Sequence, residues 1–528
     1  MLRNSILKNK CFGMPNLRTA LYLLLVTSIS IFSFGGCAQG IINESGSDGD
    51  MGSISDKKEE FVPEYEYVYQ AEDGNLAGDV KVSSDKSTFS GTDFVTGFHS
   101  QDDTWSVNID SPEDGFYDLI FVARSSDHKE NTVLIDGNNY GSIITEAGNI
   151  WTECRIDRVY LEKGAHTVSA LVSWGWFDLD QMKIQTSQPI DKEIYDVSAK
   201  LCNPEASDEA KRLYSYLIDI YGEKILSGQY SQSGQRGKEF IVVSETAGAQ
   251  PAVIGLDFIE YSPSRAAHGS TSRATDFAID FWNDGGIVTF CWHWNAPEKY
   301  LTGQWYSGFY KDYTNIDLAK IMNGEDKEGY DLLMQDIDAI AAQLLILQDA
   351  GVPVLWRPLH EASGGWFWWG NAGSEAYKKL YILLYDRLTN EYGLNNLIWV
   401  WNGQSADWYP GDEYVDIIGS DIYPGEHQYA SQIGTFLEDA EVPGENKMII
   451  LSENGCVPDP ELCVRDGAMW GLWCTWGQEF VAKDSNFNKY SEQYTEADKL
   501  KEFYAHEAVI TRDELPDLKT YPIRKELK

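Results

Sequence analysis

From Ile194 to the end of the chain, eight compact apolar runs alternate with stretches of helical periodicity, and this alternation constrains the fold more than any other feature. The runs are "KILSGQYS", "PAVIGLDFIEY", "GGIVTFCWHWN", "VPVLWRPLHE", "NNLIWVWNG", "YVDIIGSDIY", "KMIILSENG" and "AMWGLWCTWGQEF". Between them lie segments such as "NPEASDEAKRLYSYLIDIYG" and "GYDLLMQDIDAIAAQLLILQDAG", whose apolar residues recur at helical spacing. A strand buried on both faces reads as a continuous apolar run, and parallel strands need long, usually helical, crossovers. Eight such units in succession predict an α/β fold of the (β/α)8 TIM-barrel type. A doubly wound open sheet is the competing architecture, but no Gly-rich phosphate-binding turn follows the first run to favour it.

The segment before the barrel has a different texture. From about Tyr67 to Gln185, short alternating runs such as "DTWSVNID", "NTVLIDG" and "HTVSALVSW" are broken by Gly, Asp and Asn. Period-two patterning with frequent turn residues predicts an all-β sandwich, jelly-roll-like, over residues 63–188. The barrel then takes residues 189–528. Upstream, Arg3, Lys8, Lys10 and Arg18 precede the uncharged apolar run Ala20–Gly36, which stops at small residues before Cys37. This resembles a bacterial lipoprotein signal over residues 1–36. It implies a lipidated Cys37, a flexible Gly/Ser/Asp-rich tether over residues 37–62, and export to a bacterial membrane, at the cell surface or facing the periplasm.

Partners are narrowed by charge. A net charge of −40 excludes nucleic acid and an anionic membrane surface, both of which demand basic patches. Membrane attachment is therefore expected only through the lipid. The 18 Trp offer flat apolar faces suited to stacking on sugar rings or to filling a large core. Cys456 and Cys463, in "CVPDPELC", are close enough in sequence to pair, with free buried thiols the equal alternative.

In a barrel the chemistry sits where strands end at the C-terminal face. The ends of the runs present Gln229, Asp257, His293 with Trp294, Arg357 with His360 and Glu361, Trp401 with Asn402, Asp421 with Tyr423, Glu453, and Trp476. Glu361 ends the fourth run and Glu453 the seventh, so their carboxyls can meet across the mouth. Glycosidic cleavage needs two such groups, one to protonate the leaving oxygen and one to attack or to activate water. Asp257 and Asp421 are expected to cap loops or bind hydroxyls rather than act as chemical groups.

Six motifs in order, "KILSGQ", "PAVIGLDF", "RPLHEASGGWFWWG", "NNLIWVWN", "WYPGDEYVDIIGSDIY" and "LSENG", resemble glycoside hydrolase family 26, a group of retaining (β/α)8 enzymes that are mostly β-mannanases. The resemblance implies Glu361 as acid/base and Glu453 as nucleophile. It also implies Tyr423 as the residue orienting Glu453, and His360 and His293 as sugar contacts. Arg357 can pair with a carboxylate and help keep Glu453 ionised. Trp476, with Trp473 as runner-up, is expected as the platform beneath the sugar; Trp294 joins the binding set, and Trp366 is placed on the leaving-group side. Trp368 and Trp369 are expected to pack. The sandwich, through "YQAEDGNL", "VLIDG" and "GWFDLDQMKI", resembles carbohydrate-binding modules of family 35 or 6. That implies a structural Ca²⁺ held by Glu72 and Asp180, with Trp174 and Trp176 as ligand stackers. The expected activity is retaining hydrolysis of β-1,4-mannosidic bonds in mannan, galactomannan or glucomannan by a monomer, with no cofactor for catalysis. A β-1,3-xylanase or mixed-linkage β-glucanase of the same family, or a non-catalytic surface glycan-binding lipoprotein, are the alternatives.

Overall fold

The computed structural model describes residues 61–84, 90–145, 147–173, 175–483 and 489–528. The signal segment, Cys37, the tether up to residue 60, and Trp174 lie outside the described residues.

The N-terminal part is a sandwich of two antiparallel sheets. One sheet carries Glu66–Gln70, Lys81–Ser84, Asp93–Thr96, Gly115–Arg124, Thr152–Leu161 and Asp178–Thr186. The other carries Asn75–Ala77, Thr104–Ser111, Lys129–Ile135, Asn138–Thr145 and Gly164–Leu171. Alternation does the sorting: in "TWSVNIDS", Trp105, Val107, Ile109 and Ser111 turn inward while the residues between them face out. Trp105 is fully buried and donates its indole N–H to the Ala71 carbonyl at 2.8 Å, so its one polar atom is satisfied inside the core. Arg158 of the sandwich lies over Phe116 and donates to the carbonyls of Gln188 and of Asp466 in the barrel, while Arg465 of the barrel lies over Tyr160.

The eight apolar runs form a closed parallel barrel of β1 (Gly228–Tyr230), β2 (Val253–Asp257), β3 (Ile287–Trp292), β4 (Val354–Pro358), β5 (Leu397–Trp401), β6 (Ile417–Ile422), β7 (Met448–Asn454) and β8 (Trp473–Thr475). Nearly every residue of these strands is buried, which explains why the runs read as continuous rather than alternating. The crossover helices start where the sequence offers caps. Ser207 accepts from the Ala210 N–H ahead of the helix Asp208–Ile220, and Asp326 accepts from Gly329 ahead of Lys327–Asp349. Two runs are trimmed relative to expectation. Ile225–Leu226 leave the barrel to pair in parallel with Val509–Ile510, and only three residues of the eighth run are strand. Among the described residues, no helix is long and apolar enough to cross a membrane.

The seam between β1 and β8 is thin: Gln229 pairs with Thr475, and a bridge of Leu226 with Leu472 extends it below. Gly228 makes the close approach possible, because a Cβ there would lie 2.4 Å from the Trp473 carbonyl oxygen, a backbone atom that cannot swing away. Gly228→Ala is therefore expected to destabilise the barrel by about 1–3 kcal/mol or more through overpacking. Urea denaturation monitored by Trp fluorescence measures this, and an unchanged midpoint would contradict the seam's dependence on that glycine.

Candidate active site

The ends of β4, β6 and β7 bring three carboxylates together. Oxygens of Glu361, Asp421 and Glu453 all lie within 4.8 Å of one another. Arg357, fully buried on β4, reaches across the barrel axis toward two of them. Its Nη1 donates to Asp421 at 2.7 Å and its Nη2 donates to Glu453 Oε1. Nη2 also donates to the Tyr230 hydroxyl at 3.1 Å, and Nη1 to Asn402 Oδ1 at 3.3 Å. The second Glu453 oxygen accepts from the Tyr423 hydroxyl at 2.6 Å, and Asp421 Oδ1 accepts from Ser452 Oγ at 2.7 Å. Both oxygens of Glu453 and of Asp421 thus accept hydrogen bonds, while burial pushes the Asp421 pKa up to about 7 against the pull of Arg357.

Glu361 is held differently. The chain turns sharply at the end of β4, with Leu359 and Glu361 both in the left-handed region (φ 54° and 52°). Such a conformation is costly for residues with a Cβ and persists only when neighbours enforce it. Here the Glu361 N–H donates to both the backbone carbonyl (2.7 Å) and the side-chain oxygen (3.0 Å) of Asn402 at the end of β5. One carboxyl oxygen, Oε2, accepts from the Trp366 indole N–H at 2.9 Å. Burial, and then the negative charges of Asp421 and Glu453, push the Glu361 pKa well above the ordinary carboxylate range. A proton on its other oxygen relieves that repulsion.

Around the acids stands a ring of aromatic and imidazole groups. His293, just past β3, donates from Nδ1 to Asp257 Oδ2 at 2.7 Å and packs against Phe309, Phe367 and Trp476. His360 lies behind it, 1% exposed, with the two Nε2 atoms 3.2 Å apart. Trp476 is half-buried, its ring tilted over Tyr230 at 4.7 Å, so a face is available where a sugar platform is expected. Beyond it a groove is lined by Gln232, Glu239, Asp257 and Gln478, polar groups that can meet hydroxyls.

The sequence expectations divide accordingly. Glu361, Glu453, Arg357, His293, His360, Trp366, Tyr423 and Trp476 come together at one mouth. Trp294 does not: it is fully buried, stacks on Trp292 at 4.1 Å and donates to Asp336, so it belongs to the core. Trp473 is also fully buried; it packs against Tyr504, away from any sugar. Trp368 and Trp369 pack, as expected, donating to the carbonyls of Trp294 and His360. Of the supporting residues, Asp257 and Asp421 were expected only to cap loops or bind hydroxyls, Asn402 was named at a run end without a role, and Tyr230 was not named. Tyr230 follows Gln229 at the end of the first run, one position past the residue that was named. Cys456 and Cys463 are both free and buried rather than paired.

In the sandwich, the pairing of Gln70 with Gln181 brings Glu72 beside Asp180. Glu72 Oε2 is buried without a hydrogen-bond partner, and its pKa is raised by burial and by the charges of Asp73, Asp93 and Asp180. Asp180 Oδ2 accepts from Ser90 N and Oγ. Converging carboxylates, with Glu72 Oε2 unpartnered, fit a hard cation such as Ca²⁺. Trp176 is 65% exposed, edge-on to His99.

A parallel barrel with two carboxyls facing each other at strand ends four and seven, the Glu361 pKa raised by burial and neighbouring charge, has the arrangement of a glycoside hydrolase. The family profile for glycosyl hydrolase family 26 matches residues 202–514, and that for carbohydrate binding module family 35 matches residues 67–187. The chain belongs to glycosyl hydrolase family 26 and carries a family 35 module before its catalytic barrel. It is 39% identical over 453 residues to a mannan endo-1,4-β-mannosidase of Thermothelomyces thermophilus, covering 85% of this chain and 90% of that protein. It is 36% identical to mannan endo-1,4-β-mannosidase B of Piromyces sp., covering 85% and 77% respectively. Among solved structures, the Podospora anserina GH26-CBM35 β-(1,4)-mannanase superposes with a TM-score of 0.59 at 36% identity, over 86% of this chain and 99% of that one. A ruminal GH26 endo-β-1,4-mannanase gives 0.63 at 30% identity, over 87% and 99%.

The bond from Trp366 favours the ionised form of Glu361, so removing it raises the pKa of this group further. Trp366→Phe is expected to move the alkaline limb of the kcat/KM pH profile to higher pH. It should also lower kcat roughly tenfold, a fraction of the 10²–10⁴ that general acid catalysis supplies. A limb that stays in place or moves to lower pH would show that this bond does not tune Glu361.

Proposed function

We propose that this chain is a retaining mannan endo-1,4-β-mannosidase in which Glu361 is the acid/base and Glu453 the nucleophile. The observation that carries the reading is the approach of the Glu361 and Glu453 carboxyl oxygens to within 4.8 Å. Retaining enzymes hold these groups about 5–5.5 Å apart, too close for an intervening water, whereas inverting enzymes need roughly 6.5–9.5 Å.

The steps follow from the hydrogen bonds. Arg357 and Tyr423 hold Glu453 ionised and aimed at the anomeric carbon. Glu361 protonates the departing oxygen as Glu453 attacks, and the bond to the leaving sugar breaks as the glycosyl ester forms. Esterification removes the negative charge of Glu453, one of the causes holding the Glu361 proton in place. The Glu361 pKa then falls, and the carboxylate takes a proton from water as that water opens the ester. Trp476 is placed to carry the sugar at the cleaved position and Trp366 to wall the leaving-group side while orienting Glu361. His293 faces the same sugar, with His360 behind it. Kinship with mannan endo-1,4-β-mannosidases supports β-mannan as the polysaccharide. The family 35 module supports a second glycan contact through Trp174 and Trp176, with Ca²⁺ on Glu72 and Asp180 holding its fold. The N-terminal signal supports export and a lipid on Cys37 that anchors the enzyme to a bacterial membrane, at the cell surface or facing the periplasm.

Glu361→Ala and Glu453→Ala are each expected to lower turnover of β-1,4-mannan by about 10³-fold or more. Proton NMR of the wild-type reaction should show the β-anomer released first. Release of the α-anomer, cleavage only of β-1,3-xylan or lichenan, or wild-type turnover in either variant would overturn the assignment. Calcium at about 100 times its Kd should raise stability by about 2.7 kcal/mol. Calorimetry with Ca²⁺ and with chelator reads this as a shift in Tm that Glu72→Gln abolishes; equal Tm values would remove the cation from the module.

A further inference from the structure

The residues behind the sugar-facing wall form a chain, Asp257 to His293 to His360, that the reaction scheme does not use. Asp257 ends β2. Its Oδ1 accepts two backbone N–H groups, from His293 at 3.1 Å and Ile259 at 2.8 Å, and its Oδ2 lies 2.7 Å from His293 Nδ1. A carboxylate only accepts, so Nδ1 carries the proton. Between the two imidazoles, Nε2 faces Nε2 at 3.2 Å, which leaves room for one proton.

Two arrangements are available. In the first, neutral His293 offers its Nε2 lone pair and His360 donates from Nε2. In the second, a doubly protonated His293 donates to His360, whose own proton must then sit on Nδ1. His360 Nδ1 is buried and has no hydrogen-bond partner among the described residues. A buried N–H without an acceptor is costly, and the imidazolium would add a second positive charge close to Arg357. The first arrangement therefore holds. Cys291 Sγ, 3.9 Å from His293 Nδ1, is too distant to compete with Asp257 for that proton.

We infer that Asp257 is a positioning residue that sets the tautomers of His293 and His360, so that His293 accepts from His360 and its ring is held in one orientation against the cleft. This rests on the reading of the site as a mannan-cleaving cleft, but the proton positions can be measured apart from activity.

Asp257→Asn tests the assignment because the backbone dictates how the amide must lie. Two backbone N–H groups demand the amide oxygen at the Oδ1 position, which turns the NH₂ toward His293 Nδ1. That nitrogen must then accept, and the His293 proton moves to Nε2, against His360. On manno-oligosaccharides kcat/KM is expected to fall by about 10²-fold or more, as when a wrong tautomer is imposed on a catalytic His–Asp pair. The loss should appear chiefly in kcat, with Tm little changed. Spectra of ¹⁵N-histidine-labelled full-length protein, assigned with His293→Gln and His360→Gln, should show His293 as Nδ1–H and His360 as Nε2–H in the wild type. Asp257→Asn should convert His293 to Nε2–H. A wild-type spectrum with His293 as Nε2–H, or an Asn variant with unchanged tautomers, overturns the inference whether or not that variant folds well. If the tautomers are as stated but β-mannan is not cleaved, the functional reading fails and the positioning role of Asp257 stands.

Discussion

A single buried guanidinium organises the mouth of this barrel. Arg357 has no exposed surface, and the side chains of Asp421 and Glu453 that flank it are 0% and 5% exposed. Burying charges costs several kcal/mol per ion unless each is paired and its remaining donors and acceptors are filled; here all but the Arg357 Nε–H find partners. Tyr230, Asn402, Tyr423 and Ser452 complete the set. The charges do not balance, however. One cation faces three carboxyl groups, so the cheapest state protonates the carboxyl with no bond to the cation. That group is Glu361. The proton a glycoside hydrolase must donate is thus stored by the same electrostatics that holds strands four, six and seven in their relative positions.

The loop after β4 converts this charge pattern into geometry. Left-handed backbone at Leu359 and Glu361 turns the chain so that His360 points back toward β3 and Glu361 toward β7. Asn402 secures the turn from β5, and Trp369 does so by donating to the His360 carbonyl. Trp366 then reaches back to Glu361. The aromatic run after Glu361 therefore contains two kinds of residue: Trp368 and Trp369 hold the loop, and Trp366 holds the acid.

Much of this was legible in the residues. Continuous apolar runs identify strands buried on both faces, run ends identify the catalytic rim, and carboxylates on runs four and seven identify the opposed pair. The errors have one physical origin. Trp292, His293 and Trp294 follow one another at a strand end, and alternation sends neighbours to different sides; only His293 reaches the cleft. Trp473 fails in the same way, since it faces the outer helical layer on a strand of three residues whose register no local pattern reveals. Asn402 was named at a run end but given no role, and Tyr230 was passed over, because neither residue type announces one. Their importance comes from where Arg357 and Glu361 place their donors.

By itself, the sequence determined the architecture and put Glu361 and Glu453 forward as the opposed pair at the mouth, because burial periodicity and residue order along the chain are local properties. Its net charge of −40 argues against nucleic acid or an anionic surface as partner, an expectation that needs no coordinates. Only the tertiary structure decided which carboxyl keeps its proton, how the two histidines share theirs, and which tryptophans touch the cleft. Those outcomes depend on distances between groups brought together from different strands, and on which hydrogen-bonding atoms remain unspent once the barrel has closed.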